Sequence, residues 1–213
     1  MTRDVTLARL CRDRLVVVAR RLAVEHVGPV AQALVDAGVL ALEITVDEPS
    51  AIETIARLHE RFGSQLMVGA GTVLRKLDAE DAIAAGADFI VSPVFIRDVL
   101  KLCDGTDVLY VPGAVTPSEI FAALDAGARA VKLFPASAMT STVIRDTLEP
   151  FRNLHPVFML TGGLDSAKIP AYLSAGVSIF GVGGAVLAQE DLAGKQYAHI
   201  GVRAGRVLAA MKG

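Results

Sequence analysis

Short apolar runs alternate along the chain with longer segments of helical periodicity. Eight runs are rich in β-branched and large aliphatic residues; they cover 15–19, 41–45, 66–69, 89–92, 108–111, 130–134, 157–160 and 178–182. Each run is continuously apolar rather than alternating, which is typical of strands covered on both faces of a parallel sheet. The pattern therefore predicts eight buried parallel strands.

The segments between these runs have the spacing of amphipathic helices. They cover 30–37, 51–62, 76–85, 96–103, 116–126, 143–148, 165–175 and about 197–212. Four of them end at a glycine just before the next strand, as a left-handed C-cap requires; these are Gly38, Gly86, Gly127 and Gly176. Residues 116–119 (T-P-S-E) supply an N-cap and a first-turn proline.

Eight strand–helix units follow one another without a linker, a charge block or a low-complexity stretch. We therefore predict a single α/β domain over residues 1–213, folded as a closed (β/α)8 TIM barrel. A doubly wound open sheet is the main alternative. The barrel is favoured because all eight strands look equally buried and no dinucleotide fingerprint follows the first.

Composition narrows the possible partners. The 213 residues include 21 Lys and Arg against 23 Asp and Glu, a formal charge of -2, which does not favour nucleic-acid binding. The apolar runs near the N-terminus are too short to span a bilayer, and the first residues lack the apolar region of a secretory signal. Cys11 and Cys103 have neither disulfide nor metal spacing, so we expect a reduced, cytoplasmic chain.

Two charged residues interrupt the apolar runs. Lys132 lies in A-V-K-L-F, and it is the one lysine flanked on both sides by a strand-like run. Burial disfavours the ammonium form, and a neutral amine is the nucleophile that forms a Schiff base with a carbonyl. Glu43 lies in A-L-E-I-T, where it is either a general acid or base or the ion-pair partner of the lysine.

Glycine-rich segments follow three of the predicted strands. They are 69–72 (G-A-G-T), 161–163 (T-G-G) and 181–184 (G-V-G-G). Glycines let a ligand approach backbone N–H groups, and loops after the seventh and eighth strands form the usual phosphate site of such barrels. We expect Ala185 to open an anion-binding helix there.

Arg20 ends the first strand, where it either clamps a carboxylate or stays solvated like its neighbour Arg21. The histidines fall outside the strand ends and do not cluster with Cys or Asp, so we expect no catalytic metal. A Ser-His-Asp arrangement is equally unsupported, because no serine lies on a nucleophile elbow.

Taken together, seven segments resemble the KDPG (2-keto-3-deoxy-6-phosphogluconate) aldolase family, which includes the KHG (4-hydroxy-2-oxoglutarate) aldolases. They are A-L-E-I-T, V-G-A-G-T-V-L, F-I-V-S-P, Y-V-P-G-A-V-T-P-S-E, V-K-L-F-P-A, T-G-G and G-V-G-G-A, between about Leu15 and Leu192. The resemblance implies a class I aldolase without metal or cofactor. Lys132 would form the Schiff base with the pyruvate half, and Glu43 would transfer protons.

The resemblance also implies the remaining site residues and the assembly. Thr72, Pro93, Phe134 and Thr161 would line the pyruvate pocket, and Gly162, Gly163, Gly183 and Gly184 would hold the phosphate. The family's usual assembly is a homotrimer, and the expected partner is a small phosphorylated keto acid rather than a nucleic acid or a membrane.

Two positions depart from the family. Several members have a carboxylate-binding arginine four residues after the glutamate, where this chain has Asp47; other members have it at the end of the first strand, where Arg20 matches. Gly184 replaces a phosphate-binding serine found in many members. We therefore assign the carboxylate to Arg20 and expect cleavage of 2-keto-3-deoxy-6-phosphogluconate to pyruvate and glyceraldehyde 3-phosphate.

Other substrates and classes remain open at this stage. Within the family they are 4-hydroxy-2-oxoglutarate and the galactonate epimer of the phosphorylated acid. More distant alternatives are a phosphate-binding barrel like thiamine-phosphate synthase and a non-catalytic ligand-binding barrel. Neither alternative requires a lysine and a glutamate inside strands. Their presence there argues against both alternatives, because unpaired buried charge costs stability.

Overall fold

Nine parallel strands form the centre of the molecule. The computed structural model describes residues 1–164 and 166–212. The strands are β1 Leu15–Ala19, β2 Ala41–Thr45, β3 Met67–Gly71, β4 Phe89–Val91, β5 Leu109–Val111, β6 Gly113–Ala114, β7 Ala130–Leu133, β8 Val157–Thr161 and β9 Ile179–Val182. All eight predicted strands are confirmed, and β6 is an addition that continues the fifth of them.

The sheet closes through Pro112, which separates β5 from β6. The strand order is β5-β4-β3-β2-β1-β9-β8-β7-β6, so the two ends of the sheet belong to one continuous stretch of chain. Proline has no N–H to donate, which interrupts the ladder, but its carbonyl still accepts a hydrogen bond of 2.7 Å from the Lys132 N–H. The sheet is therefore a closed eight-stranded (β/α)8 barrel, and the open-sheet alternative is excluded.

Helices surround the barrel. They are α1 Arg3–Asp13, α2 Val24–Asp36, α3 Ala51–Phe62, α4 Lys76–Ala84, α5 Arg97–Thr106, α6 Pro117–Asp125, α7 Ser141–Leu148, α8 Ile169–Ser174, α9 Gln189–Ala193 and α10 Tyr197–Ala210. The sequence pattern missed α1 and α9 and began α2 too late; residue 165, the start of one predicted helix, lies outside the described residues. Within the described part of the chain, every helix is too short or too polar to cross a membrane.

Helix ends confirm the cap predictions. Four glycines adopt positive φ just after a helix: Gly38 at 82°, Gly86 at 92°, Gly127 at 106° and Gly176 at 103°. At the start of α6, the Glu119 N–H donates to Thr116 Oγ1 at 3.3 Å, and the Thr116 N–H donates to Glu119 Oε2 at 2.9 Å. This reciprocal capping box fixes where α6 begins, directly after β6.

Alternate residues of each strand belong to two different apolar clusters. Leu42 and Ile44 of β2, and Val131 and Leu133 of β7, pack outward in the cluster that includes the helices. Ala41 and Ala130 belong to the second cluster, which fills the inside of the barrel. Because side chains alternate along a strand, Glu43 and Lys132 point into the barrel, two residues beyond Ala41 and Ala130.

Helix α1 covers the barrel at the N-terminal ends of the strands. Its residues Leu7 and Leu10 are buried in the inner cluster with Val16, Phe89 and other strand residues. These two side chains extend the apolar packing of the barrel interior to the outside helix. The barrel is therefore packed shut at that end, and its ligand-accessible end is the opposite one.

Candidate active site

A cavity of about 960 Å³ opens at the C-terminal ends of the strands. All eleven residues that the sequence predicts for the site line it: Arg20, Glu43, Thr72, Pro93, Lys132, Phe134, Thr161, Gly162, Gly163, Gly183 and Gly184. They come from β2, β7 and β8 or from the loops that follow β1, β3, β4, β7, β8 and β9. The barrel thus brings together, on one concave surface, residues that are far apart in the sequence.

Lys132 lies at the inner end of this cavity. Its side chain is 6% exposed, and its Nζ lies 5.1 Å from the centroid of the Phe134 ring, within the range of a cation–π contact. Among the residues that the structure describes, no carboxylate lies within 4.0 Å of this amine. A buried lysine that faces a cavity is placed to add to the carbonyl carbon of a bound ligand, the first step toward a Schiff base.

Glu43 is the second charged residue of the cavity floor, a name we use for Lys132 and Glu43. It is 1% exposed, and burial raises the pKa of its carboxyl, although the nearby Lys132 charge opposes that rise. Its Oε2 atom has no hydrogen-bond partner among the described residues. The carboxyl is therefore suited to accept and return a proton.

Gly71 provides the room for Glu43. A Cβ atom at Gly71 would lie 1.9 Å from Glu43 Oε1 and 2.5 Å from its Cδ. Gly71 lies on β3, the strand beside β2, where it is the register partner of Thr45, so the Glu43 side chain reaches along the strand to lie over it. The absence of a side chain at Gly71 therefore makes space for the Glu43 carboxyl inside the barrel.

Thr72 follows Gly71 with a backbone conformation that is unusual for its type. Its φ is 59°, in the left-handed region, where β-branched residues are rare because their Cβ substituents crowd the backbone. Such strain persists when the surroundings determine it and is concentrated at functional sites. The loop after β3 thus holds Thr72 on the cavity wall despite a local energetic cost.

The loop after β8 packs against Phe134. Gly162 and Gly163 have φ of 95° and 69°, and a Cβ at Gly162 would lie 2.7 Å from the Phe134 ring. The Gly162 carbonyl accepts a hydrogen bond of 2.9 Å from the Ser137 N–H. Both glycines are thus required by backbone conformation, and Gly162 also by the ring that lies against it.

The loop after β9 is a turn rather than the expected helix. The Gly183 carbonyl accepts hydrogen bonds of 2.9 Å from the N–H groups of Val186 and Leu187, and the next helix, α9, begins at Gln189. The expectation that Ala185 opens an anion-binding helix is therefore wrong, because the chain leaves the turn after one closure. In the described part of the chain, the N–H groups of Gly163 and Gly184 have no backbone acceptor and are available to an anion.

Arg20, Arg21 and Asp47 form the cavity rim, a name we keep for these three residues. Asp47 Oδ2 lies 3.7 Å from Arg20 Nη2 and 3.4 Å from Arg21 Nε. Burial raises the pKa of the Asp47 carboxyl, but polar contacts with the Thr45 hydroxyl and its own backbone, together with the two guanidinium charges, outweigh burial and hold that pKa below its usual value. The Arg20 side chain is 62% exposed, so it reaches the cavity from the solvent side.

Among the other residues that line the cavity are three polar ones that the sequence patterns did not single out: Thr45, His26 and Gln189. Thr45 follows Glu43 by two residues, so the alternation of a strand was the signal that placed it on the same face. His26 lies on α2, where its Nδ1 is 2.9 Å from the Tyr197 hydroxyl. Nothing local in the sequence marks His26 or Gln189, because their helices reach the cavity only through the tertiary fold.

The fold and the cavity define the class of the protein first. A closed (β/α)8 barrel keeps its chemistry at the C-terminal ends of the strands, and here that end holds a buried amine and a buried carboxyl. Within residues 1–164 and 166–212, no group of three or more His, Cys, Asp or Glu side chains is placed to hold a metal ion. The molecule is thus a barrel enzyme by architecture, with a lysine at its centre.

Comparison with known proteins gives the family. The family model "KDPG and KHG aldolase" matches residues 7–202. The 2-dehydro-3-deoxy-phosphogluconate aldolase of Treponema pallidum is 35% identical over 164 residues, covering 76% of this chain and 77% of that protein. The 2-dehydro-3-deoxy-6-phosphogalactonate aldolase of Escherichia coli is 32% identical over 161 residues, covering 76% of each protein.

A solved structure agrees with these relatives. The KDPG aldolase from Legionella pneumophila, with pyruvate captured as a covalent carbinolamine intermediate, superimposes with a TM-score of 0.86 at 28% identity. The match covers 94% of this chain and 96% of that one. The chain belongs to the KDPG and KHG aldolase family, whose members are carbon–carbon lyases.

Proposed function

We propose that this aldolase cleaves 2-keto-3-deoxy-6-phosphogluconate to pyruvate and glyceraldehyde 3-phosphate through a Schiff base on Lys132. The observation that carries the proposal is the floor: an amine 6% exposed and a carboxyl 1% exposed face one cavity. The related enzyme from Legionella pneumophila is described with pyruvate as a covalent carbinolamine, the intermediate that precedes a Schiff base.

The reaction begins at the substrate C2 ketone. The neutral Lys132 amine adds to C2, and loss of water gives an iminium. Glu43 accepts the proton of the C4 hydroxyl, the C3–C4 bond breaks, and its electron pair passes into the iminium to form an enamine. The aldehyde product leaves, C3 takes a proton back from Glu43, and hydrolysis of the iminium releases pyruvate and the free amine.

The other residues position the substrate. In this proposal Arg20 binds the carboxylate through its planar fork, and Thr72, Pro93, Phe134 and Thr161 enclose the pyruvate half. The N–H groups of the glycine pairs 162–163 and 183–184 bind the phosphate, consistent with the free N–H groups of Gly163 and Gly184.

The galactonate epimer and 4-hydroxy-2-oxoglutarate are the second candidates. Gly184 favours 4-hydroxy-2-oxoglutarate, which carries no phosphate, because this position lacks the serine hydroxyl that would strengthen phosphate binding. A relative that is 32% identical acts on the phosphogalactonate acid by its name. Rates of pyruvate formation from the three acids, compared as kcat/KM, decide among these substrates.

Borohydride trapping tests the Schiff base itself. Incubation with pyruvate and borohydride should add one reduced pyruvyl group, located on Lys132 by mass spectrometry. Lys132→Met should remove both the adduct and cleavage, whereas Lys101→Met, at an exposed lysine of α5, should change neither. An adduct that persists in Lys132→Met would contradict the assignment.

We further propose a homotrimer in the cytoplasm. Five large apolar side chains about half exposed lie on the connections after β3, β4 and β6 or on the helices that follow: Leu74, Leu77, Val94, Val115 and Phe121. Grouped exposed apolar residues are typical of subunit contacts. Cys11 and Cys103 are both free thiols, as in a reducing compartment. Sedimentation of wild type and Phe121→Glu tests the assembly, with a smaller species expected for the variant.

A further inference from the structure

Thr45 is a cavity residue to which the proposed function gives no role. It ends β2, two residues after Glu43, and the two side chains lie on the same face of the strand. Thr45 is 2% exposed and lines the same cavity as Glu43. It lies one step nearer the mouth than Glu43, because β2 runs toward the mouth.

The Thr45 hydroxyl makes no hydrogen bond of standard geometry with the residues that the structure describes. In the part of the chain that the structure describes, its Oγ1 atom makes no hydrogen bond, and neither does Oε2 of Glu43. Asp47, two residues further on, interacts with Thr45, but the two side chains do not meet hydrogen-bond geometry. Two buried polar atoms on one strand face are thus both directed to the cavity.

This arrangement is costly for folding alone. Buried hydroxyl groups are normally hydrogen-bonded, and replacing one that is not by a methyl group of the same shape is neutral or stabilising. Apart from Glu43 and Thr45, β2 consists of the apolar residues Ala41, Leu42 and Ile44. A valine would fill the position of Thr45 equally well, so the hydroxyl is explained by what enters the cavity.

We propose that Thr45 is a further substrate-binding residue, whose hydroxyl holds the C4 oxygen of the substrate against Glu43. This inference rests on the proposed Schiff-base function. The reacting carbon chain extends from C2 at Lys132 toward the mouth, so C4 lies beyond the floor, on the side where Thr45 is. Thr45 donates to the C4 oxygen while Glu43 takes the C4 proton, and Thr45 keeps its own proton throughout.

The hydrogen bond matters only for steps that involve C4. Cleavage breaks the C3–C4 bond and turns the C4 hydroxyl into a carbonyl. A hydrogen bond to the C4 oxygen that becomes stronger during this change lowers the activation barrier for cleavage. Exchange of the C3 protons of pyruvate with solvent needs Lys132 and Glu43 but involves no C4 atom. Comparing cleavage with proton exchange in one enzyme sample therefore distinguishes the role of Thr45 from the roles of Lys132 and Glu43.

The experiment measures both activities in Thr45→Val and Thr45→Ser. We expect Thr45→Val to lower cleavage about 10- to 100-fold, the loss typical of one hydrogen bond to a charged or polarising group, while pyruvate proton exchange in D₂O stays close to wild type. Thr45→Ser should restore most of the cleavage. Because unfolded protein lowers both rates equally, the ratio of cleavage to exchange reports on Thr45 even where the variant folds incompletely.

A matched control is Ser92→Ala. Ser92 is 0% exposed, and its Oγ is also unpartnered, but it does not line the cavity. Its removal should leave the ratio unchanged. If the ratio is unchanged in Thr45→Val and Lys132→Met abolishes both activities, the role of Thr45 is overturned and the proposed function stands. If Lys132→Met still cleaves the substrate, the proposed function itself is overturned.

Discussion

The floor and the rim of the cavity each pair a carboxylate with basic side chains, yet the two regions differ in solvation. Glu43 and Asp47 are four residues apart, at the floor and the rim respectively. At the floor, burial raises the pKa of Glu43, and no ion pair forms within 4.0 Å. At the rim, Asp47 lies within 4.0 Å of two arginines, and its pKa is lowered.

The difference teaches how one barrel end can serve both chemistry and recognition. A buried carboxyl with a raised pKa takes up a proton more readily than an exposed one, whereas a carboxylate held by two guanidinium groups stays charged. Exposed ion pairs contribute little stability, so the rim arrangement is better explained by the ligand that enters past it. Substitutions that affect only one region therefore test whether the division holds.

A large effect is expected from crowding the floor without removing any charge. Gly71→Ala places a Cβ 1.9 Å from Glu43 Oε1, so the carboxyl must move. A displacement of about 1 Å at a reacting group costs on the order of 100-fold in rate, and we expect kcat to fall at least that far. Gly105→Ala, where a Cβ would meet nothing within 4 Å, is the control. Steady-state kinetics check this; a normal kcat in Gly71→Ala would mean that the position of Glu43 is unimportant.

Removing the proton acceptor should cost about 10²- to 10⁴-fold in kcat, as is usual for a general base. The pH profile makes this prediction specific. Because the pKa of Glu43 is raised above its ordinary 4.5, the ionised base is lost as pH falls through a value above 4.5. We expect the acidic limb of kcat/KM in the wild type to lie above pH 4.5 and to disappear in Glu43→Gln. A limb that is unchanged in Glu43→Gln would assign it to another group.

The rim should respond in KM rather than kcat. Arg20→Ala removes the proposed carboxylate clamp, and we expect KM for the keto acid to rise about tenfold, the value of one charge-assisted hydrogen bond, with little change in kcat. Because Arg20 is 62% exposed, added salt should raise the wild-type KM and leave that of Arg20→Ala nearly constant. Equal salt dependence of KM in both proteins would mean that Arg20 is a solvated surface residue and does not bind the carboxylate.

The smallest effect is expected from adding a donor at the phosphate loop. Nothing lies within 4 Å of a Cβ at Gly184, so a serine fits without displacing a neighbour. Gly184→Ser should lower KM for the phosphorylated acids about threefold to tenfold, the contribution of one net hydrogen bond, and leave KM for 4-hydroxy-2-oxoglutarate unchanged. Gly184→Ala separates the hydroxyl from the added methyl group. A similar change for both substrates would place the phosphate elsewhere.

Most of the fold could be predicted because buried parallel strands leave a strong local signal. The departures have physical reasons. Pro112 divides one apolar run into β5 and β6, since it has no N–H for the ladder. Helix α1 was missed because Leu7 and Leu10 are its only buried large apolar residues, in a segment of eleven residues of which five are charged. The turn after Gly183 was mistaken for a helix because a glycine pair is compatible with both.

The site was predictable where a residue conflicts with its surroundings. Lys132 and Glu43 stand out against apolar runs, and both line the cavity. Thr45 was overlooked because threonine is common in strands and raises no such conflict. The pairing of Arg20 with Asp47 depends on how the end of β1 meets the loop after β2, which no local pattern specifies.

The closure of the barrel by α1 has a consequence for the order of events. Leu7 and Leu10 pack the N-terminal end shut, so ligands enter and leave past the rim. In the proposed mechanism, run in the direction of carbon–carbon bond formation, a keto acid attached to Lys132 lies beneath the position of the aldehyde. The aldehyde therefore binds second in bond formation and leaves first in cleavage. Because the two molecules share one entrance, the architecture imposes a compulsory order of binding and release.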